Sequence, residues 1–365
     1  MLIVHTADLH LYANHKYSID GSRLADIRRN LLMMLKYGLK RKQEGTEVIL
    51  VIAGDIFHNY NPDEKLLKVF SGVLKTAIKN GIKVRMITGN HDTDGINYAF
   101  ESVHNILGID ELMVKIFPLV PGKTVLYTEI IDGVNIIYVP WQKELIQALQ
   151  DAKNKRIKKS VNVLVTHCAV DGAKTNSGYH ISEKITKKML EGYDYVALGD
   201  FHNNQCLGEN IWYCGSPVKF VWDEKDDFKY FNTYDTTTGK VNRIKLPDID
   251  FIEMNIQYSS IDKLIKNKLI EYDGKKLEGS FIRVVVKGSI NFGEKIATLK
   301  KHLYNCGAKG VMEKIIADER AEPNYKGDYN LDLSINDACL KFLENSEHDD
   351  KINLKEYISK KLELI

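Results

Sequence analysis

Five apolar runs in the first two-thirds of the chain end in residues that bind metal ions or move protons. "LIVHTADLH" delivers Asp8 and His10, and "VILVIAGD" delivers Asp55. "VRMITGNHD" delivers Asn90, His91 and Asp92, "VNVLVTH" delivers His167, and "YVALGDFH" delivers Asp200 and His202. One such ending is explained as a turn, because Gly, Asn and Asp are the commonest turn residues. Five with the same chemistry point to one site. Carboxylates, imidazoles and an amide oxygen, with no thiolate among them, suit borderline-hard divalent ions such as Mn²⁺, Fe²⁺ or Zn²⁺. Seven or eight such groups are too many for one ion. Two ions ~3.5–4 Å apart, bridged by a carboxylate, would use them all, and such pairs polarise phosphoryl oxygens and activate water.

Bringing these groups together requires buried strands whose carboxyl ends share one side, the side on which α/β sheets bind ligands. Val48–Ala53 is a continuous apolar run, as expected of a strand covered on both faces. Residues 82–88, 161–166 and 193–198 read the same way. Apolar residues at helical spacing mark helices over 24–42 and 63–79, with further helices over 98–107 and 182–190. Gly54, Gly89 and Gly199 allow a sharp turn after their strands. Two hairpins are expected, one turning at Asp132-Gly133 within 125–139 and one at Thr238-Gly239 within 230–246. From residue 247 the pattern changes to strand 251–257, helix 261–272, strand 280–287, helix 292–304 and strand 308–317. Residues 319–331 are polar, contain Pro323 and read as a linker. Two short amphipathic helices follow, the second with Leu354, Ile358 and Leu362 on one stripe.

Composition narrows the setting. The net charge of +2 gives no global attraction to polyanions, so any nucleic-acid surface must be a local patch. The lysine-rich stretch 153–159 and Lys184, Lys187 and Lys188 are solvated faces or contacts to backbone phosphates. Five cysteines without a CxxC pair argue against a disulfide framework or a structural zinc site, and fit a reducing cytosol. No apolar run approaches the ~18 residues of a membrane helix, and the first residues do not read as a signal peptide. The expected location is therefore cytoplasmic, with no membrane contact. His5 reads as a core residue, and Cys168 and Trp141 as packing. His15, His104, His180, His302 and His348 read as surface residues. No G-x-x-x-x-G-K-S/T motif is present for binding ATP.

The series D-x-H, GD, GNHD, H and G-x-x-H resembles the calcineurin-like metallophosphoesterases. The segments "HTADLHL", "VIAGDIFH", "TGNHD", "VTHCAVDG", "YVALGDFH" and "YCGSPVKFVWDE" resemble, in order and flanks, the SbcD-type DNA nucleases of double-strand-break repair. The likeness runs motif by motif over about residues 1–235. It implies a four-layer α/β metallophosphoesterase sandwich, two packed mixed β-sheets flanked by helices, with a small α+β capping domain. The nuclease domain would span 1–246, the DNA-capping domain 247–318, the linker 319–331 and an ATPase-docking helical segment 332–365. By position, Asp8, His10 and His202 would hold one metal, Asp55 would bridge, and Asn90, His167 and Asp200 would hold the second. His91 resembles the family's catalytic histidine, His58 would lie near the substrate phosphate, and Asp92 would orient its neighbours. The family usually has His where this chain has Asp200, which makes the site richer in oxygen and favours Mn²⁺ or Mg²⁺ over Zn²⁺. The implied activity is Mn²⁺-dependent 3′→5′ exonuclease on duplex ends with single-strand endonuclease, in DNA repair and recombination. The implied partners are DNA, a second copy of the chain and an SbcC-like coiled-coil ABC ATPase. The alternatives are a phosphatase or small-molecule phosphodiesterase on the same core, and a non-catalytic scaffold that binds DNA ends.

Overall fold

Successive residues of a strand face opposite sides of its sheet, and this alternation sorts the core into layers. The computed structural model describes residues 1–12, 22–95, 112–266, 269–288 and 293–317. The expected helix 98–107, the linker 319–331 and the helices of 332–365 lie outside the described residues, as do His15, His104 and His348. Residues Met1–Ile316 form one compact unit.

The strands of the larger part are β1 (Leu2–Thr6), β2 (Val48–Ala53), β3 (Lys83–Ile87), β4 (Val114–Phe117), β5 (Tyr127–Ile131), β6 (Val134–Val139), β7 (Asn162–His167), β8 (Tyr195–Gly199), β9 (Gln205–Gly208), β10 (Ile211–Tyr213), β11 (Tyr230–Asp235) and β12 (Lys240–Lys245). They make two six-stranded sheets, ordered β12-β11-β1-β2-β3-β4 and β5-β6-β7-β8-β10-β9. Strands β1 to β4 run parallel, as do β6 to β8. Antiparallel pairs β1–β11 and β5–β6 make both sheets mixed.

Ile3, Ile49, Val51 and Ile87 of the first sheet meet Ile136, Tyr138, Val163 and Tyr195 of the second in one buried cluster. Their neighbours Val4, Leu50, Ile52 and Val84 face the other way, onto helices α1 (Ser22–Gln43) and α2 (Glu64–Lys79). Ile137, Leu164 and Val196 cover the far face of the second sheet together with Ala148 and Leu149 of α3 (Leu145–Lys153). The result is the expected helix–sheet–sheet–helix sandwich. Each fully buried Leu, Ile, Val or Phe contributes about 1.5–3 kcal/mol, and alternation doubles the number of positions that do so. No described helix is long and apolar enough to cross a membrane.

An imidazole with no part in the converging strand ends lies in the core between the sheets. His5 lies 2.8 Å from the Tyr195 hydroxyl, a contact from β1 to β8. Burial pushes its pKa down from 6.5 to about 3. A base with a depressed folded-state pKa binds fewer protons folded than unfolded, so stability falls as pH drops. The loss begins near 6.5 and continues toward about 3. It amounts to roughly 2 kcal/mol by pH 5. Denaturant titrations in chelator at pH 8 and pH 5 should show the native chain losing that much more stability than His5→Asn. Equal losses would place the pH dependence elsewhere.

A smaller sheet follows, from β13 (Phe251–Gln257), β16 (Phe281–Gly288) and β17 (Gly310–Ala317), ordered β13-β16-β17. With it go the hairpin strands β14 (Glu271–Tyr272) and β15 (Lys275–Lys276), and helices α4 (Ile261–Lys266) and α5 (Gly293–Asn305). Ile252, Met254, Val284, Leu299 and Leu303 form its own core. Two expectations need correction. The helix expected over 261–272 is described over Ile261–Lys266, and its last residues, Glu271–Tyr272, instead form β14, which Asp273 and Gly274, at φ 50° and 70°, turn into β15. The helix expected over 182–190 shrinks to a 3₁₀ turn at Lys187–Leu190. There the Ile181 and Ile185 carbonyls accept from the Gly172 and Asp171 amides, so they cannot close helical turns.

Candidate metal centre

The loops after β1, β2, β3, β7 and β8 converge. Asp8, His10, Asp55 and Asp200 all have left-handed backbones, with φ of 52°, 40°, 50° and 109°. Such conformations cost of order 1–3 kcal/mol each outside glycine and persist only where the surroundings enforce them. Here the Asp8 amide donates to the Gly54 carbonyl and the His10 amide to that of Asp55, at 3.1 and 3.0 Å. The Asp200 amide donates to Asp8 Oδ1 at 2.9 Å, and the His91 amide to Asp55 Oδ1 at 3.0 Å. Asp92 is buried, and its carboxylate accepts from the amides of Ile56, Phe57 and Gly89 at 2.9–3.2 Å. It thereby ties the loop that carries Asp55 to the loop that carries Asn90 and His91. Burial first, then the charge of Asp55, pushes the Asp92 carboxyl up to about 7.

Close approach explains two glycines. A Cβ on Gly89 would run into the Asp55 carboxylate, and one on Gly199 into the Ala53 carbonyl.

Asp55 stands in the middle. Its Oδ2 is 3.6 Å from His10 Nε2 and 3.5 Å from His167 Nε2. On the His167 side lie Asn90 Oδ1 at 3.0 Å and Asp200 Oδ1 at 3.7 Å from Nε2. Asp8 Oδ1 approaches the same ring, 4.0 Å from Nδ1. On the His10 side, His202 Nε2 is 3.1 Å from His10 Nε2, and the rings of His91 and His58 are centred 4.8 and 5.6 Å away. Two sets of donor atoms each lie within 4.8 Å of one another, Asp8 with Asp55 and His167, and His10 with His58 and His91.

The hydrogen bonds fix which ring nitrogen faces inward. A carbonyl oxygen only accepts, so His167 Nδ1 donates to the Ala53 carbonyl at 2.8 Å. In the neutral ring Nε2 then carries the lone pair, and it points at three oxygens. That arrangement is repulsive unless a positive charge sits there. Without metal a proton takes the place: burial pushes the His167 imidazole down, but the charge and hydrogen bond of Asp55 outweigh it and hold it well above the usual range. Burial likewise pushes Asp55 up, and His167 and His10 outweigh it and hold the carboxyl below its usual range. Burial pushes Asp8 up to about 7 and raises Asp200 as well. Asp8 Oδ2 is buried with no hydrogen-bond partner among the described residues. A divalent cation would satisfy that oxygen and replace the protons that the cluster holds. The donor set, oxygen and imidazole without thiolate, fits such a cation.

All seven residues read as ligands from the sequence meet here, and His91 and His58 meet at the mouth. The His91 ring is exposed, its Nδ1 is 3.0 Å from the His58 carbonyl, and the two rings stack at 5.4 Å and 23°. The lysine-rich stretch reaches the other basic segment where Lys153 Nζ donates to the Lys188 carbonyl at 3.0 Å. Cys168 is buried in the core of the second sheet, as expected of a packing residue.

Two residues escaped the sequence reading. Glu224 Oε1 accepts from His202 Nδ1 at 2.8 Å, and Glu224 Oε2 pairs with Lys229 Nζ at 2.6 Å. Both are buried. Burial pushes the Glu224 carboxyl up, but Lys229 and His202 outweigh it and bring it to about 2. The sequence signal was only the closing Glu of "YCGSPVKFVWDE", which is followed by "KDD" and looks like solvated surface.

The sequence pattern described as calcineurin-like phosphoesterase matches residues 1–204, more than half of the 365. The matched span contains every residue of the converging strand ends.

Proposed function

The chain belongs to the calcineurin-like phosphoesterase family and is a metal-dependent phosphoester hydrolase; starting there, we propose that its substrate is DNA and its reaction phosphodiester hydrolysis. Asp8, His10 and His202 would hold one divalent ion and Asn90, His167 and Asp200 another, with Asp55 serving both. Mn²⁺ is the preferred ion because Asp200 makes the second set rich in oxygen. Bound there, the cations neutralise charge on the phosphodiester and activate water.

The protein's own part centres on His91. Its Nδ1 donates to the His58 carbonyl, so Nε2 is the atom that gains and loses a proton. In the imidazolium form Nε2–H faces the mouth and gives its proton to the leaving oxygen as the P–O bond breaks. Water supplies the hydroxyl on phosphorus and the proton that restores His91. The His58 ring stacked on His91 limits its rotation and stands near the substrate phosphate. Asp92 keeps both loops in register.

The observation that carries DNA over a smaller substrate is the segment "YCGSPVKFVWDE" (213–224). It lies beyond the family match, resembles the SbcD-type nucleases, and ends in the glutamate that holds His202. The same resemblance supports 3′→5′ exonuclease and single-strand endonuclease activity, a homodimer and an SbcC-like coiled-coil ATPase partner. On this reading residues 247–318 cap the DNA, residues 332–365 dock the ATPase, and the complex repairs DNA in the cytoplasm.

End-labelled linear duplex in Mn²⁺ tests the reading. The native chain should shorten it, and His91→Ser should do so about a hundred- to a thousand-fold more slowly, the usual worth of a positioned proton donor. Turnover of bis(p-nitrophenyl) phosphate with intact DNA would replace the nuclease by a small-molecule phosphodiesterase. Bound metal with neither activity would replace it by a scaffold.

A further inference from the structure

We infer that Glu224 and Lys229 form a buried positioning pair that fixes His202 as a metal ligand, and that they make its half of the centre the tighter of the two. The inference rests on the metal assignment proposed above.

An imidazole can present either nitrogen, and a ligand must present a lone pair. Glu224 Oε1, an acceptor, takes the Nδ1 proton of His202 at 2.8 Å. Nε2 is thereby left to face the centre, 3.1 Å from His10 Nε2. The ring is held against Phe220, centred 5.5 Å away, and the Phe220 amide donates to Glu224 Oε2 at 3.1 Å. Asn176 Nδ2 adds a longer bond to Oε1 at 3.4 Å.

Lys229 secures the other end of the same residue. Its ammonium donates to the His202 carbonyl at 2.9 Å and to Ser216 Oγ at 3.1 Å while it pairs with Glu224. One ion pair thus grips His202 by side chain and backbone. The pair is also neutral as a unit, so it neither repels an incoming cation nor competes for it. A buried ion pair adds little net stability over apolar residues of the same volume, so stability alone is a weak reason for placing one here.

The two halves of the centre differ in this respect. His167 is oriented by the neutral Ala53 carbonyl, His202 by a carboxylate. A carboxylate behind a ligating histidine raises its basicity, and loss of such a partner costs 10–100-fold in metal affinity.

Glu224→Ala alone would leave the buried Lys229 ammonium with only the more distant Asp227, 3.9 Å away, as a counter-charge, and could unfold the chain. Two double variants avoid this. Glu224→Gln with Lys229→Met keeps an oxygen for the Nδ1 proton. Glu224→Met with Lys229→Met removes it, and both variants take Lys229 from Asp227, 3.9 Å away, equally, so that loss cancels between them. Calorimetric titration of the full chain with Mn²⁺, alongside melting in chelator, compares them. Equal melting is expected, with one class of Mn²⁺ sites about 10–100-fold weaker in the Met/Met variant than in the Gln/Met variant and the other class unchanged. Equal affinities in the two folded variants overturn the positioning role while the metal reading stands. A native chain that takes up no Mn²⁺ overturns both.

Discussion

Asp55→Asn is expected to lower turnover of both bis(p-nitrophenyl) phosphate and duplex DNA in Mn²⁺ by about 10⁴-fold or more, equivalent to ~5–6 kcal/mol at the transition state. The substitution keeps size and one oxygen. What disappears is the negative charge that lies 3.6 Å from His10 Nε2 on one side and 3.5 Å from His167 Nε2 on the other. No other carboxylate of the cluster faces both imidazoles. The amide can still accept from the His91 backbone, as Asp55 Oδ1 does at 3.0 Å, so the loop that carries His91 stays in place. Metal uptake and rate should therefore fall together, and the melting temperature in chelator should fall as well, because there Asp55 is the ion-pair partner of His167. A variant that kept a tenth of the native rate would show that Asp55 is not the shared ligand.

Gly199→Ala should cost about 3–5 kcal/mol of stability through overpacking and abolish Mn²⁺ binding. The added carbon would strike the Ala53 carbonyl at the end of β2 and lie 2.6 Å from His167 Nδ1. Those two atoms make the hydrogen bond that sets the His167 tautomer across the gap between the sheets. Neither neighbour is the loose end of a flexible chain, so the sheets would have to part. Gly239→Ala is the control. Gly239 has a left-handed φ of 69° but open space around its missing side chain. Backbone strain alone, about 1–2 kcal/mol, is expected there. Comparable denaturation midpoints for the two variants would refute the steric account.

Much of this centre was legible in the sequence because parallel strands covered on both faces read as unbroken apolar runs. Where such a run stops at Asp, Asn or His, the strand end and its chemistry are visible together. Asp8, Asp55, Asn90, His167 and Asp200 were found that way. Periodicity misled where tertiary hydrogen bonds overrode it. Ile181, Ile185 and Met189 are spaced for a helix, yet the carbonyls of Ile181 and Ile185 are taken by the preceding loop. Strands β9 and β10, of four and three residues, are too short to show a period. The hairpin at Asp273-Gly274 did carry a signal, but the helical pattern before it runs on into its first strand, Glu271–Tyr272. Glu224 and Lys229 were hidden for another reason. A glutamate among aspartates and lysines reads as surface, and only the fold reveals that it lies beneath an imidazole twenty-two residues away.

The strap that holds His202 also reaches the small sheet. Trp222, two residues before Glu224, stacks on Phe251 at 5.3 Å and 25°, with the Arg283 guanidinium 4.1 Å from its ring. Three residues further back, the Lys219 amide donates to Asp248 at 2.6 Å. Seating of the small sheet and orientation of His202 therefore share one short piece of backbone, and the free energies of seating and metal loading are expected to be linked. The factor by which bound metal tightens that seating is the factor by which the seating tightens metal. A partner that grips or tilts the small sheet is then expected to act, through Trp222, on the affinity of the centre for its ion.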